Sequence, residues 1–335
     1  MVAAVSKFTP GPRNAITDVP GILVGQAQDA ALKTGVSVIE CAASVNCAVD
    51  VRGGGPGTRE TDALRPENFV HKAHAIVLTG GSVFGLAAGD AVTQALSAQD
   101  IGLKLQEGSR ALPIVPCAVL HDLSSGLHDQ WGDEPPYFRL GKEAVAALGR
   151  EVAQGNHGAG IGAKAGYEDG GVGTASLALP NDLMVGSIIA VNPLGSVRVA
   201  GSDAFMAHPW EIDGEFGAIA PSGAEQAIAP FPNMSRLAPR GKLEAGGNTT
   251  IGVVAVNADL TASDCQRLAM MAQDGIARAV RPAHTPFDGD TIFAVAAGGV
   301  SIPEDQKAYM LAMIGSTMAD CVARAIAKGV FHAAK

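Results

Sequence analysis

Short apolar runs rich in β-branched residues alternate along this chain with stretches whose apolar positions recur every three or four residues. Residues 36–42 (VSVIECA), 47–54 (CAVDVRGG) and 73–81 (AHAIVLTGG) have the pattern of strands, the last two closing on glycines. Residues 82–99 (SVFGLAAGDAVTQALSAQ) and 139–154 (RLGKEAVAALGREVAQ) have helical spacing. Residues 183–193 (LMVGSIIAVNP) and 196–201 (SVRVAG) are strand-like with almost nothing between them, which predicts a hairpin or bent ribbon and some antiparallel sheet.

From Thr249 the order is strand, helix, strand, helix. TTIGVVAVNADL predicts a buried strand; Thr261, Ser263 and Asp264 supply overlapping cap signals for a helix. DTIFAVAAGG from Asp290 predicts a second strand, and Ser301-Ile-Pro303-Glu304 opens a helix running to about Lys328. These elements make a complete α/β unit. Immediately before it, residues 209–248 are rich in proline and glycine with little periodicity, which predicts a long pliable loop ending against Thr249; a loop of that length inside a compact domain is either functional or disordered. No internal repeat or low-complexity tract interrupts the chain.

Composition narrows the class. With 335 residues, 47% of them hydrophobic, the chain can bury a large core, and 42 glycines with 4% aromatics suit a layered α/β enzyme filled by small aliphatic side chains. A net charge of −9 without any Lys/Arg run argues against a nucleic-acid surface. Cys41, Cys47, Cys117, Cys265 and Cys321 are scattered with no C-x-x-C, so neither a disulfide framework nor a zinc knuckle is expected. The first residues lack a signal-peptide core, and no apolar run approaches the ~18 residues of a membrane span; a cytoplasmic, reducing location with no membrane association is expected. His71 and His74 lack convincing metal partners, the glycines around Gly158 make a poor dinucleotide fingerprint, and no G-x-S-x-G elbow occurs. No metal or organic cofactor is expected.

The stretch EAGGNTTIGVVAVNADL places Asn248, Thr249 and Thr250 between the loop and the buried strand. Threonine is at home in strands, so the pair serves equally to begin one. A threonine after slack chain also permits its hydroxyl to meet the preceding carbonyl. An N-to-O acyl shift and hydrolysis would then free an N-terminal threonine, whose α-amine, with a reference pKa of about 8, acts as base for an otherwise weak nucleophile.

Five segments resemble the DmpA-type aminopeptidases and the endo-type nylon-oligomer (6-aminohexanoate oligomer) hydrolases, most closely the latter: VDVRGGGPGTRETD from Val49, LTGGSVFGLAAGDAV from Leu78, IIAVNPLGSV from Ile188, EAGGNTTIGVVAVNADL, and RPAHTPFDGDTIFAV from Arg281. The resemblance implies a four-layer α/β/β/α sandwich of the self-processing hydrolase type. It implies cleavage between Asn248 and Thr249, with residues 1–248 and 249–335 as the two subunits of one structural domain, and Thr249 as nucleophile. Asn192 matches the family asparagine whose amide suits an oxyanion donor, although asparagine before proline is also a common turn residue. Asp288 and Asp290 match an acidic pair of the nylon-oligomer branch that would orient Thr249 and its amine; D-G-D alone equally describes a solvated turn. Gly54 and Gly55, with Gly53, and Gly81, with Gly80, are candidate backbone donors to a substrate carbonyl or carboxylate, or simply glycines that permit tight packing. The chain departs from the family in two places. His121-Asp122 stands where the nylon-oligomer enzymes have a tyrosine before an aspartate, and Tyr167 stands where they have a lysine, for which Lys164 is the substitute at hand. His121 is a candidate pocket residue or general acid, with a structural role as its alternative.

The expected activity is hydrolysis of small peptides or amide oligomers, aminopeptidase-like or endo-acting. Acyl transfer in the manner of ornithine acetyltransferases and an uncleaved, non-catalytic binding protein are the alternatives. The resemblance further implies a homo-oligomer, a homotetramer or higher assembly of cleaved α/β heterodimers.

Overall fold

The computed structural model describes residues 8–222, 235–236 and 247–334. Its strands are β1 (Ile22–Asp29), β2 (Thr34–Val51), β3 (Thr58–Arg59), β4 (Lys72–Thr79), β5 (Cys117–Val119), β6 (Lys164–Ala165), β7 (Glu168–Asp169), β8 (Gly171–Ala178), β9 (Met184–Asn192), β10 (Thr249–Ala258) and β11 (Thr291–Val300). Its α-helices are α1 (Ala87–Ala98), α2 (Tyr137–Ala146), α3 (Ala262–Ala279) and α4 (Lys307–Ala333). Strands order as β3-β5-β4-β2-β11-β10-β9-β8 with β1 also on β2, and β6 and β7 form a separate pair. Pairing is antiparallel except for β4 with β5 and β10 with β11.

Strand alternation sends side chains of this bent sheet into three cores, one for each gap between four layers. Val36 and Val38 of β2 meet α1 and α2 through Val92, Leu96 and Leu140. Ile39 and Cys47 of β2, Ile251 and Val253 of β10, and Ile188 of β9 face one another across the centre. Val254 and Val256 of β10 and Val185 of β9 pack with Leu268 of α3 and Ile314 and Val322 of α4. The layers are therefore α1/α2, sheet, sheet, α3/α4, as the family likeness implied.

The 18-residue β2 joins the two sheet layers. Residues 34–41 pair with β1, and residues 46–51 with β11, across a register irregularity between Glu40 and Val45. The sequence pattern breaks there into two expected strands because Ala42 and Ala43 are small and exposed, not because the chain turns. Residues 196–201 are not a strand: Ser196 and Arg198 make only isolated bridges, to Arg281 and Phe205, and the antiparallel neighbour of β9 opposite β10 is β8. Pro193, which has no N–H to extend the ladder, follows β9 directly. The helix expected over 139–154 stops at Ala146, because Val24 and Gly149 exchange backbone hydrogen bonds of 2.9 and 3.0 Å that draw the chain to β1.

Residues 82–86 form a 3-10 turn before α1, and α4 runs past Lys328 to Ala333. By length and composition Glu304–Ala333 would suit a membrane span, contrary to the expectation that no such stretch exists; it is mostly buried in the protein, as a core helix. Much of the expected loop 209–248, residues 223–234 and 237–246, lies outside the described residues. In its described first part, Glu215 is held by the buried Arg324 of α4 at 2.5 and 3.0 Å.

Candidate active site

Thr249 opens β10 at the centre of the sheet, opposite Asn192, the last residue of β9, while Asn248 bridges to Asp288 just before β11. Thr249 is 2% exposed. Its hydroxyl turns back onto the Asn248 carbonyl oxygen, and that same oxygen accepts the Gly289 N–H at 2.9 Å. Gly289 is tightly packed there: a Cβ on it would lie 2.8 Å from the Thr249 Oγ1. The carbonyl ahead of Thr249 thus has a hydroxyl against it and a backbone donor on its oxygen.

Asp288 and Asp290, each 1% exposed, are buried and saturated rather than solvated. Asp288 Oδ1 accepts the Leu194 N–H at 3.0 Å, and Oδ2 accepts the Thr285 N–H at 3.1 Å and the Thr285 hydroxyl. Asp290 Oδ1 accepts the Thr250 N–H at 2.8 Å; Oδ2 accepts the His284 N–H at 3.0 Å and lies 2.9 Å from His284 Nδ1. Burial, followed by the charge of Asp290, raises the pKa of Asp288, against the lowering effect of its hydrogen bonds.

Asn192 Oδ1 accepts the Lys164 N–H at 2.8 Å, and Nδ2 donates to the His121 carbonyl at 3.0 Å. His121, at one departure from the family pattern, and Lys164, the substitute considered at the other, therefore both touch Asn192, but through their backbones, while Tyr167 itself is exposed. The Lys164 ammonium pairs with Asp169. Beside them Asp122, pushed up to about 6 by burial, accepts from the Thr34 hydroxyl and from Gly81 N–H, each at 2.7 Å. A cavity of about 400 Å3 lies on this side, lined among others by Lys33, Asp122, Ser124, Lys164 and Asp169.

The candidate glycine amides are engaged within the protein. Gly54 donates to the Thr285 carbonyl at 3.2 Å, Gly55 to Asp288 O at 2.8 Å, Gly53 to Asp290 O at 3.3 Å, and Gly81 to Asp122. These amides are spent within the protein, stapling the D-G-D segment to the end of β2 and fixing Asp122. Gly53, Gly54 and Gly81 are also tightly packed: a Cβ on Gly53 would stand 2.3 Å from Asp290 N, one on Gly54 2.6 Å from Pro286 Cα, and one on Gly81 2.0 Å from the Tyr137 ring.

Four residues of this constellation escaped the sequence reading. Gly289, His284 and Thr285 lie inside the quoted segment RPAHTPFDGDTIFAV but carried no signal of their own. Arg236, whose guanidinium reaches the carbonyls of Lys164 and Pro193 at 2.7 and 2.9 Å, lies in the aperiodic loop.

Comparison with known proteins bears on the family and the fold. The model of peptidase family S58 matches residues 14–335. An uncharacterised aminopeptidase of Mycobacterium tuberculosis is 43% identical over 96% of this chain and 94% of its own length. A 6-aminohexanoate-oligomer endohydrolase of Paenarthrobacter ureafaciens is 29% identical over 85% of this chain and 76% of its own. The motif likeness to the nylon-oligomer hydrolases is thus accompanied by higher overall identity to the mycobacterial protein. Among solved structures, the L-aminopeptidase D-Ala-esterase/amidase of Ochrobactrum anthropi, described as a variant of the Ntn hydrolase fold, superposes with a TM-score of 0.71 at 20% identity, covering 98% of this chain and 89% of that one. A match from residue 14 to the last residue, on a chain with this fold, means that the protein belongs to peptidase family S58 and hydrolyses peptide or amide bonds.

Proposed function

We propose that the chain matures by cutting itself between Asn248 and Thr249 and then hydrolyses short peptides or amide oligomers with Thr249 as an N-terminal nucleophile. The observation that carries this reading is the Thr249 hydroxyl folded onto the Asn248 carbonyl while Gly289 N–H binds the carbonyl oxygen. In the processing step Thr249 Oγ bonds to the Asn248 carbonyl carbon, the peptide C–N bond breaks, and the hydroxyl proton passes to the departing nitrogen. Water then hydrolyses the ester, leaving an Asn248 carboxylate and restoring the hydroxyl beside a new α-amine. In turnover that amine takes the hydroxyl proton as Thr249 attacks a substrate carbonyl; the leaving amine receives a proton, and water releases the acyl group. Asn192 Nδ2 and Gly289 N–H serve as oxyanion donors, each worth about 10²- to 10³-fold in rate by analogy with other oxyanion holes. Asp288 and Asp290 hold the segment facing Thr249 and offer negative charge to the ammonium form of the amine. The family membership favours this hydrolytic chemistry over acetyl transfer.

Intact mass of the wild type beside Thr249→Ala tests the reading. A fragment beginning at Thr249, roughly a quarter of the 33.9 kDa chain, is expected only in the wild type; a cut Thr249→Ala chain, or one with undiminished amidase activity, refutes it. Aminoacyl-anilides come first among substrates, given the higher identity to a protein named an aminopeptidase, followed by β-peptides and 6-aminohexanoate oligomers. We also propose an oligomer of cleaved heterodimers, for which light scattering of the processed protein is the test.

A further inference from the structure

Arg236 is the described residue that ties the segment upstream of the scissile bond to the site. Its N–H donates to the Leu194 carbonyl at 2.9 Å. Its Nη2 lies 2.7 Å from the Lys164 carbonyl, 2.9 Å from that of Pro193, 3.3 Å from that of Asn192 and 3.4 Å from Asn192 Oδ1. Burial lowers its pKa to about 10, opposed by the charge of Asp288, so the group remains cationic at neutral pH. Burying a guanidinium is costly unless its donors are used. Here carbonyls of the turn after β9, and of the strand that binds it, accept from Nη2, while Nε is buried without a partner among the described residues.

The consequence falls on the Asn192 side chain. An amide can sit either way round in the same space, and its surroundings decide which end is oxygen. Lys164 N–H and the Arg236 guanidinium both approach one end. Turning the amide over would set its NH2 against two donors. The other end is thereby fixed as nitrogen; it gives one hydrogen to the His121 carbonyl and keeps a second. Asn192 stands opposite Thr249 in the β9–β10 register, so this orientation decides whether the site presents a donor or an acceptor to a developing oxyanion.

We propose that Arg236 is a positioning residue that acts through Asn192, a role resting on the threonine-nucleophile reading above. Its test is a double-mutant cycle in the full-length chain: wild type, R236A, N192A and R236A/N192A, with R236K beside them. The processing rate is followed by intact mass, folding is checked by thermal unfolding, and kcat and KM are measured on an aminoacyl-anilide for processed material. R236A is expected to slow processing and lower kcat by about 10-fold or more with little change in KM, as befits a weakened transition-state donor. R236K recovers part of the loss, since lysine keeps the charge without the planar fork. In the N192A background, R236A is expected to change the rate by less than about 2-fold. Equal losses in both backgrounds, or a wild-type rate in R236A, overturn the role while leaving the nucleophile reading intact. A wild-type chain that stays whole overturns that reading, and the role with it. Should R236A fail to fold, R236K and R236K/N192A complete the cycle with the same criterion.

Discussion

Replacing Gly289 by alanine probes the reacting geometry without removing any reacting group. The new Cβ would stand 2.8 Å from Thr249 Oγ1, 2.9 Å from the Gly55 carbonyl oxygen and 3.2 Å from Pro56 Cα, whereas ordinary contact begins at 3.4 Å. Something must move by several tenths of an ångström. The Gly55 backbone resists, because its N–H is bonded to Asp288 O at 2.8 Å. The lighter movement is that of the Thr249 hydroxyl, whose β-branched side chain has few alternative rotamers, together with a retreat of Gly289 N–H from the Asn248 carbonyl. A misplacement of about 1 Å can cost about 10²-fold in rate, and loss of an oxyanion donor about 10²- to 10³-fold. Processing of Gly289→Ala is therefore expected to slow by about 10²-fold. Overpacking costs a further ~1–3 kcal/mol of stability, small enough for the chain to stay folded. The assay is the fraction of intact chain against time by mass spectrometry, with thermal unfolding measured on the same sample. A folded Gly289→Ala chain that cuts itself at the wild-type rate would refute the placement of the hydroxyl and of the backbone donor together.

Other substitutions test the surrounding electrostatics. Burial lifts Asp122 from 3.8 to about 6, so the native protein keeps a proton that the unfolded chain gives up; this contribution is full below about pH 4 and is lost as pH rises through about 6. It amounts to ~3 kcal/mol at ~1.4 kcal/mol per pH unit, and urea unfolding of Asp122→Asn between pH 4 and 7 should lack that slope. The Thr285 hydroxyl favours ionised Asp288, so Thr285→Val should raise the Asp288 pKa and move the acid limb of the kcat/KM profile to higher pH. Glu215→Ala strands Arg324 and Lys328 in the interior without their carboxylate and should cost ~3–5 kcal/mol in urea unfolding, with Glu215→Gln costing less.

The elements that the sequence announced most clearly are those with one dominant period. β10, α3, β11 and α4 follow one another as expected because each has its cap, its apolar stripe or its β-branched run in order. Where tertiary contacts override the local pattern, the reading slips: β2 continues through two exposed alanines because its partners change along its length, and α2 ends early because Gly149 pairs with β1. The candidate site was legible at Thr249, Asn192, Asp288 and Asp290, whose spacing is carried by recurring motifs. His121 and Lys164 were recognised as positions, but the groups they bring to Asn192 are backbone atoms, which side-chain identity does not encode. Arg236 was invisible for a related reason: an isolated basic residue in an aperiodic segment has no pattern, and its importance arises only from the carbonyls that converge on it.

The position of the proposed scissile bond is compatible with one chain becoming two without losing its fold. Asn248 precedes β10 and Thr249 is its first residue, so cleavage between them would remove one covalent link but none of the ladder that follows. β10 remains paired along its length with β9, which lies in the first fragment, and with β11, which lies in the second. β11 in turn pairs with β2 of the first fragment, and α4 packs on β8 and β9. The second fragment therefore supplies the middle of one sheet layer and both helices of one outer layer. The apolar area shared by the fragments is that of a domain core rather than of a subunit surface. If the proposed cleavage occurs, this shared core would hold the two pieces together, so that a new N-terminus could be created in the interior after folding.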